Sequence, residues 1–281
     1  MTYKTMCFPG FKRKALTFSY DDDVIFNKRL IEIFNKNGLK ATFKLNSGYF
    51  STVDEDWGIS QDTMVGLLKN SNHEIAVHGE HHLSMNEFDS ATIVNDIIQD
   101  RKNFKKLLGK IVKGMAYSNG MGAMNDYSVE ILKACGIKYA RTTESTHDFN
   151  VPTDWLRLPA TCHHSDSRLM ELAKTFVGTN EVENRWASRP LLFYIWGQAY
   201  EFAAQNNWEI IEEFAKYVSR RNDVWYATNG EIYDYVQAYN RLEYSVDGKI
   251  ITNPSAIDVY IMYPYIFDNV IIKAGQTVVI E

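Results

Sequence analysis

The sequence predicts an α/β protein whose parallel strands close into a barrel, and three observations predict it. Short β-prone apolar runs alternate with amphipathic stretches from Lys14 to Tyr239, the pattern of parallel strands joined by crossover helices. The alternation recurs often enough to favour closure over an open sheet. Polar groups able to do chemistry (Asp21, His78, Asn119, Gln198 and Asn229) follow the apolar runs, and in barrel enzymes reactive groups gather at the C-terminal ends of strands.

The elements follow from periodicity and punctuation. Residues Met1 to Arg13 are a lead-in with a Pro-Gly turn, and Lys14 to Tyr20 is the first strand. Phe26 to Asn37 carries Leu30, Ile31, Ile33 and Phe34 at helical spacing, with Gly38 as its C-cap. Ala41 to Leu45 is the second strand, Asp62 to Lys69 a short helix and Glu74 to Val77 the third strand. Asp89 to Leu108 reads as a long helix ended by Gly109, Val112 to Tyr117 as the fourth strand and Asn125 to Ala134 as a helix. Tyr139 to Arg141 is a short fifth strand and Trp155 to Leu158 a weak sixth. Ser167 to Thr175 is helical, Leu191 to Trp196 a buried strand and Trp208 to Ser219 a helix. Val224 to Ala227 is the last barrel strand, and a helix follows from Glu231 to Tyr239. After about Arg241 the pattern changes. Val246-Asp247-Gly248-Lys249 has the turn chemistry of a hairpin between β-prone runs. The expected organisation is therefore a barrel domain over residues 1–240 and a small C-terminal β appendage over 241–281, packed on the barrel or used in homo-oligomer contacts.

Composition excludes several classes. Hydrophobic residues make up 45% and aromatics 14% of the 281 positions, enough for a sizeable core and against disorder. A net charge of −5 argues against nucleic acid as a partner. No stretch reaches the length of a membrane span, and Met1 to Gly10 has no apolar core of signal-peptide length. The expectation is a cytoplasmic protein if Met1 is the native start, and a secreted one if a signal has been removed. Cys7, Cys135 and Cys162 are too few and too scattered for a disulfide framework or a zinc knuckle.

Chemistry concentrates in two stretches. Glu74-Ile75-Ala76-Val77-His78-Gly79-Glu80-His81-His82 is a buried run ending in a His-rich loop. On one turn of helix, the spacing of His78 and His82 would put both imidazoles on one face, where they could hold one metal ion. Two imidazoles leave a catalytic site one ligand short. The best supplier is Ala15-Leu16-Thr17-Phe18-Ser19-Tyr20-Asp21-Asp22-Asp23, an apolar run ending in three adjacent acids that repel unless a cation neutralises them.

Together, Asp21-Asp22 after Thr17-Phe18, followed by His78-x-x-x-His82, resemble the first two motifs of the polysaccharide deacetylases, the NodB-homology or carbohydrate esterase family 4 group. The resemblance runs from about Lys14 to Tyr235, roughly four-fifths of the chain by strand and helix order. It implies a distorted (β/α)7 barrel of NodB type that removes an acetyl group, N- or O-linked, from a carbohydrate. It further implies that Asp22, His78 and His82 bind a divalent metal, with zinc expected, and that Asp21 is the catalytic base. Asp23 stands where the family usually has glycine, and is read as a neighbour of the ligands.

Later motifs depart from the family. Gly114-Met115-Ala116-Tyr117-Ser118-Asn119-Gly120 lies where the family shows Arg-Pro-Pro-Tyr-Gly. Ala116 replaces the arginine that orients the base, while the backbone N–H of Asn119 could still serve as an oxyanion donor. Asp154-Trp155 resembles the acid and aromatic that line the acetyl pocket, with Tyr117 nearby in the same reading. Phe193 to Glu201 matches the motif whose histidine protonates the leaving amine, but the position is Gln198, which cannot donate such a proton. His163, in a second His cluster, is a candidate to reach the substrate, and with His164, Glu201 and His81 a candidate substitute acid. Two alternatives stay open: a catalytically weakened carbohydrate-binding relative that keeps the metal site, and a hydrolase of small non-peptide amides on the same fold.

Overall fold

The computed structural model describes residues 4–69, 71–120, 124–179, 189–263 and 268–280. Strand β1 (Thr5–Cys7) precedes β2 (Lys14–Asp21), α1 (Asn27–Asn37), β3 (Ala41–Leu45), α2 (Gln61–Lys69), β4 (Glu74–Val77) and α3 (Ser90–Leu108). Next come β5 (Gly114–Ala116), α4 (Asp126–Ala134), β6 (Tyr139–Ser145), a 3-10 turn (Trp155–Arg157), β7 (Leu158–Ala160), β8 (Cys162–His163) and α5 (Leu169–Gly178). Then come β9 (Leu191–Gln198), α6 (Ala199–Ala204), α7 (Glu209–Val218), β10 (Val224–Tyr226) and α8 (Asn229–Asn240). Five short strands follow: β11 (Glu243–Tyr244), β12 (Ile250–Thr252), β13 (Val259–Tyr263), β14 (Asp268–Ile272) and β15 (Thr277–Val279).

The expected α/β architecture is present. The central sheet has the order β7-β6-β5-β4-β3-β2-β9-β8, all pairs parallel, with β10 also on β2. One run of chain, 158–163, pairs with β6 through β7 and with β9 through β8, so it carries both ends of the sheet. The Thr161 N–H donates to Tyr194 O across that junction (2.8 Å).

Strand β2 is the spine. It pairs with β9 along its whole length, with β10 at Lys14–Leu16, and with β3 at Phe18–Asp21. Its side chains alternate as a strand covered on both faces requires. Phe18 packs on Phe34 of α1 (4.6 Å between centroids) and on Phe214 of α7. Thr17 and Asp21 face the other way, Thr17 taking a hydrogen bond from Asn229 Nδ2 (3.0 Å). Tyr139 and Thr42 meet the Glu74 carboxylate on this inner side (2.6 and 2.9 Å). Asp21 ends that inner row.

Several local expectations are corrected. Trp155 to Leu158 is not a strand: Asp154 accepts from the N–H groups of Leu156 and Arg157 and caps a 3-10 turn, and the strand begins at Leu158. Strand β6 runs on to Ser145, and β8 and α6 were not anticipated because each is too short to show a period. The lead-in is structured, since β1 pairs antiparallel with β13. The described residues after 240, with β1, form two small antiparallel arrangements, β1-β13-β14 and β11-β12-β15, whose Val259, Ile261 and Ile272 cluster with Ala238 of α8. Among the described residues, no helix is long and apolar enough to cross a membrane.

Candidate metal centre

Asp22 follows β2, and His78 and His82 follow β4, two strands away in the sheet. The 78–82 segment is a loop rather than the helical turn suggested by its spacing. Gly79 at φ 85° and His82 at φ 53° bend the chain instead. A side chain at Gly79 would meet Asp96 Oδ2 at 2.5 Å, so both the conformation and the space require glycine there. The bend brings the two rings edge to face, 4.6 Å apart. One ligand atom from each of Asp22, His78 and His82 then lies within 4.8 Å of the others.

The donor set fits a divalent cation. Burial lowers His78 to about 4, so its ring is neutral. Its Nδ1–H donates to Ala116 O (3.0 Å), leaving Nε2 bare and 3.9 Å from Asp22 Oδ1. A ligating histidine is usually oriented by such a bond from its other nitrogen. Burial also lowers His82. Burial, then the neighbouring Asp21 charge, raises Asp22 to about 7, a strain that a cation would relieve.

The surroundings hold this loop firmly. The His78 carbonyl accepts from Asn46 Nδ2 (3.0 Å) and Ser118 Oγ (2.9 Å), and its N–H is shared by Leu45 O and Asp100 Oδ2. Asp23 accepts from the Asn46 N–H (2.8 Å) and is buried, tying the loop after β2 to the loop after β3. Asp22, His82 and Asn119 all have positive φ (74°, 53° and 61°). Such backbone is costly for residues with a Cβ and tends to collect at functional sites.

Asp21 is 2% exposed, and its Oδ2 takes a hydrogen bond from Arg141 Nη2. Its Oδ1 has no hydrogen-bond partner among the described residues. Arg141 is a residue that sequence reading missed. Its signal was a guanidinium ending the short β-prone run Tyr139-Ala140-Arg141.

The remaining candidates are spread more widely. Asn119 lies exposed in the turn after β5, and Gln198 is the register partner of Asp21 on β9. Tyr117 is buried and its hydroxyl donates to Leu156 O (2.9 Å). Trp155 packs edge-on against Tyr233 of α8 (5.3 Å), and Asp154 binds Arg157 (2.9 Å). None of these contacts reaches the Asp22 group. His81 faces Asp96 (3.1 Å) and is largely exposed.

His163 and His164 form a second cluster with Glu201 on α6. Both Nε2 atoms lie against Glu201 Oε2, at 3.2 and 2.9 Å. Burial works to raise Glu201, but the two imidazoles beside it outweigh burial and hold the carboxylate at about 2. His163 Nδ1 lies 2.7 Å from Ser165 Oγ, so both of its ring nitrogens are engaged. The His163 ring also meets Trp196 (4.5 Å), whose other neighbour is the Arg141 guanidinium (4.2 Å).

The sequence profile described as polysaccharide deacetylase matches residues 9–140. A chitin deacetylase of Pestalotiopsis sp is 29% identical over 99 residues, 34% of this chain. The match spans only 30% of that relative's length. Among solved structures, a Mycobacterium smegmatis protein described as a polysaccharide deacetylase superposes with a TM-score of 0.59 at 17% identity, over 85% of this chain and 96% of that one. The allantoinase Puue superposes with a TM-score of 0.58 at 13% identity, over 80% and 91%. At these identities the structural likeness shows a shared fold.

Proposed function

From the polysaccharide deacetylase profile that matches residues 9–140, we propose that the chain is a member of that family and a metal-dependent hydrolase removing an acetyl group from a carbohydrate. The observation that carries the reading is the convergence of Asp22, His78 and His82 beside an Asp21 carboxylate with one free oxygen. Asp22, His78 Nε2 and a ring nitrogen of His82 would hold the cation, and imidazole nitrogen with carboxylate suits zinc. When bound, the cation supplies a Lewis acid that acidifies water and polarises the acyl carbonyl.

The chain's own groups do the rest. Asp21 Oδ1 takes the proton released as water adds to the acyl carbon. The Asn119 backbone N–H is the candidate donor to the oxygen that gains charge. Collapse then breaks the bond to nitrogen or oxygen, and the proton held on Asp21 Oδ1 passes to the leaving atom, releasing acetate and a sugar amine or hydroxyl. Gln198 can hydrogen-bond the leaving atom but cannot protonate it. A departing amine needs that proton far more than an alcohol does, so Gln198 favours an ester substrate as the second reading.

The test is acetate release from N- and O-acetylated glycans, with simple esters and small cyclic amides alongside, using zinc-loaded and chelator-treated protein. Metal-dependent release supports the reading, and the responding bond separates amide from ester. Sugar binding without release would favour the weakened relative, and turnover of non-sugar amides alone would favour the small-amide hydrolase. Asp22→Ala is expected to cut bound zinc, measured by atomic absorption, from near one equivalent to near none. Unchanged stoichiometry would remove Asp22 from the ligand set.

A further inference from the structure

Arg141 and Ala116 are register partners on the adjacent strands β6 and β5. Paired residues of a parallel ladder point to the same side of the sheet, so Arg141 reaches over a side chain that is a single methyl. Both Arg141 and Asp21 are almost fully buried, at 1% and 2% exposure. The guanidinium has Asp21 on one side and the Trp196 ring stacked 4.2 Å away. Trp196 is in turn held against His163, which Glu201 binds. A planar fork stacked on one face and hydrogen-bonded at one end leaves one carboxylate oxygen held and the other free, which is the geometry a base needs to meet its water repeatedly in one place.

On the reading that Asp21 is the base, we propose that Arg141 is the residue that positions it, delivering from β6 the guanidinium that β5 lacks at Ala116. Charge alone does not account for the arrangement. Lys44 is also buried on the inner side of the sheet, with no hydrogen-bond partner for its amine among the described residues, yet the hydrogen bond to Asp21 comes from the stacked, planar group. The role therefore depends on guanidinium shape and not merely on a positive charge. It also predicts that the fork can be supplied from the neighbouring strand.

The decisive set is Arg141→Lys, Arg141→Gln and the relocation pair Ala116→Arg with Arg141→Ala. Each is assayed for kcat and KM separately, for zinc content and for Tm. Arg141→Lys keeps the buried charge and is expected to keep zinc and fold, yet to lower kcat by at least tenfold with KM little changed. Arg141→Gln is expected to lose on the order of a hundredfold, the usual scale for a misplaced catalytic group. The relocation pair is expected to recover at least tenfold over Arg141→Gln. Arg141→Lys with kcat within twofold of wild type overturns the proposal, whether or not the other variants fold. A folded, zinc-bound relocation pair no better than Arg141→Gln also overturns it. Asp21→Asn separates this failure from that of the underlying reading. If it keeps wild-type kcat, Asp21 is not the base; if it alone is inactive, only the role of Arg141 falls.

Discussion

Gln198 and Asn119 are the two positions where single side chains make distinct claims. Gln198 pairs in register with Asp21 across β2 and β9, so its side chain starts beside the base. Gln198→His is expected to raise amide turnover by up to about 10²- to 10⁴-fold, the range of a positioned general acid, and ester turnover much less. The ratio of the two rates on matched N- and O-acetyl substrates reads this directly, and an unchanged ratio would clear Gln198 of limiting catalysis. Asn119 is proposed to act through its backbone, and it sits at φ 61°. Asn119→Gly should therefore keep kcat within about threefold and raise stability by a few tenths of a kcal/mol. A large loss of kcat in a folded protein would assign the work to the side chain. The aspartate and histidine motifs were legible because their residue types are rare after apolar runs. Arg141 was not, because its partner Asp21 lies 120 residues away and only the strand order joins them.

At the scale of elements, the junction of β8, β9 and α6 depends on the Glu201 carboxylate between two imidazoles. His164 reaches it over Gly197, where any Cβ would fall 1.9 Å from the ring. Glu201 is held at about 2 when folded against an ordinary value of 4.5. The unfolded chain therefore binds the extra proton between these values. The stabilisation is complete above about pH 4.5 and is lost as pH falls towards 2. Glu201→Gln is expected to cost about 2 kcal/mol at pH 6. That gap from wild type should narrow as pH falls below about 4.5 and close near pH 2, measured by urea midpoints across pH, and a gap independent of pH would refute the charged arrangement. None of this was visible in Cys162-His163-His164 as a string, because a two-residue strand and a six-residue helix leave no periodic trace. The long elements were legible for the opposite reason. In α1, Leu30, Ile31, Ile33 and Phe34 announce the buried face, and Gly38 at φ 66° ends it as its position suggested. The His78 loop misled because a four-residue spacing fits a helix, whereas Gly79 permits a sharper bend than any helix.

Across the whole molecule, the appendage and the N-terminus are tied together. Strand β1 pairs with β13, the Tyr235 hydroxyl donates to Cys7 O, and the Tyr260 N–H donates to that same hydroxyl (3.0 Å). Met6 and Phe8 join a buried cluster with Tyr235, Ala227 and Trp196. We expect a chain cut after Arg241 to lose more than 10 °C in Tm or to be recovered insoluble, since it uncovers this cluster and leaves β1 unpaired. A truncated protein melting within a few degrees of the full chain would make residues 241–281 a dispensable attachment.

The placement of β2 has a consequence for how the protein is made. Its β3 edge finds a partner soon after synthesis, but its other partner, β9, comes only at Leu191–Gln198. At ~5–20 residues per second, the ribosome delivers that strand roughly ten to thirty seconds later. Until then the strand that ends in Asp21 offers a bare apolar edge to the cytosol or to a translocation channel. A holding chaperone that covers such edges should therefore govern the yield of this protein more than the stability of its finished fold does.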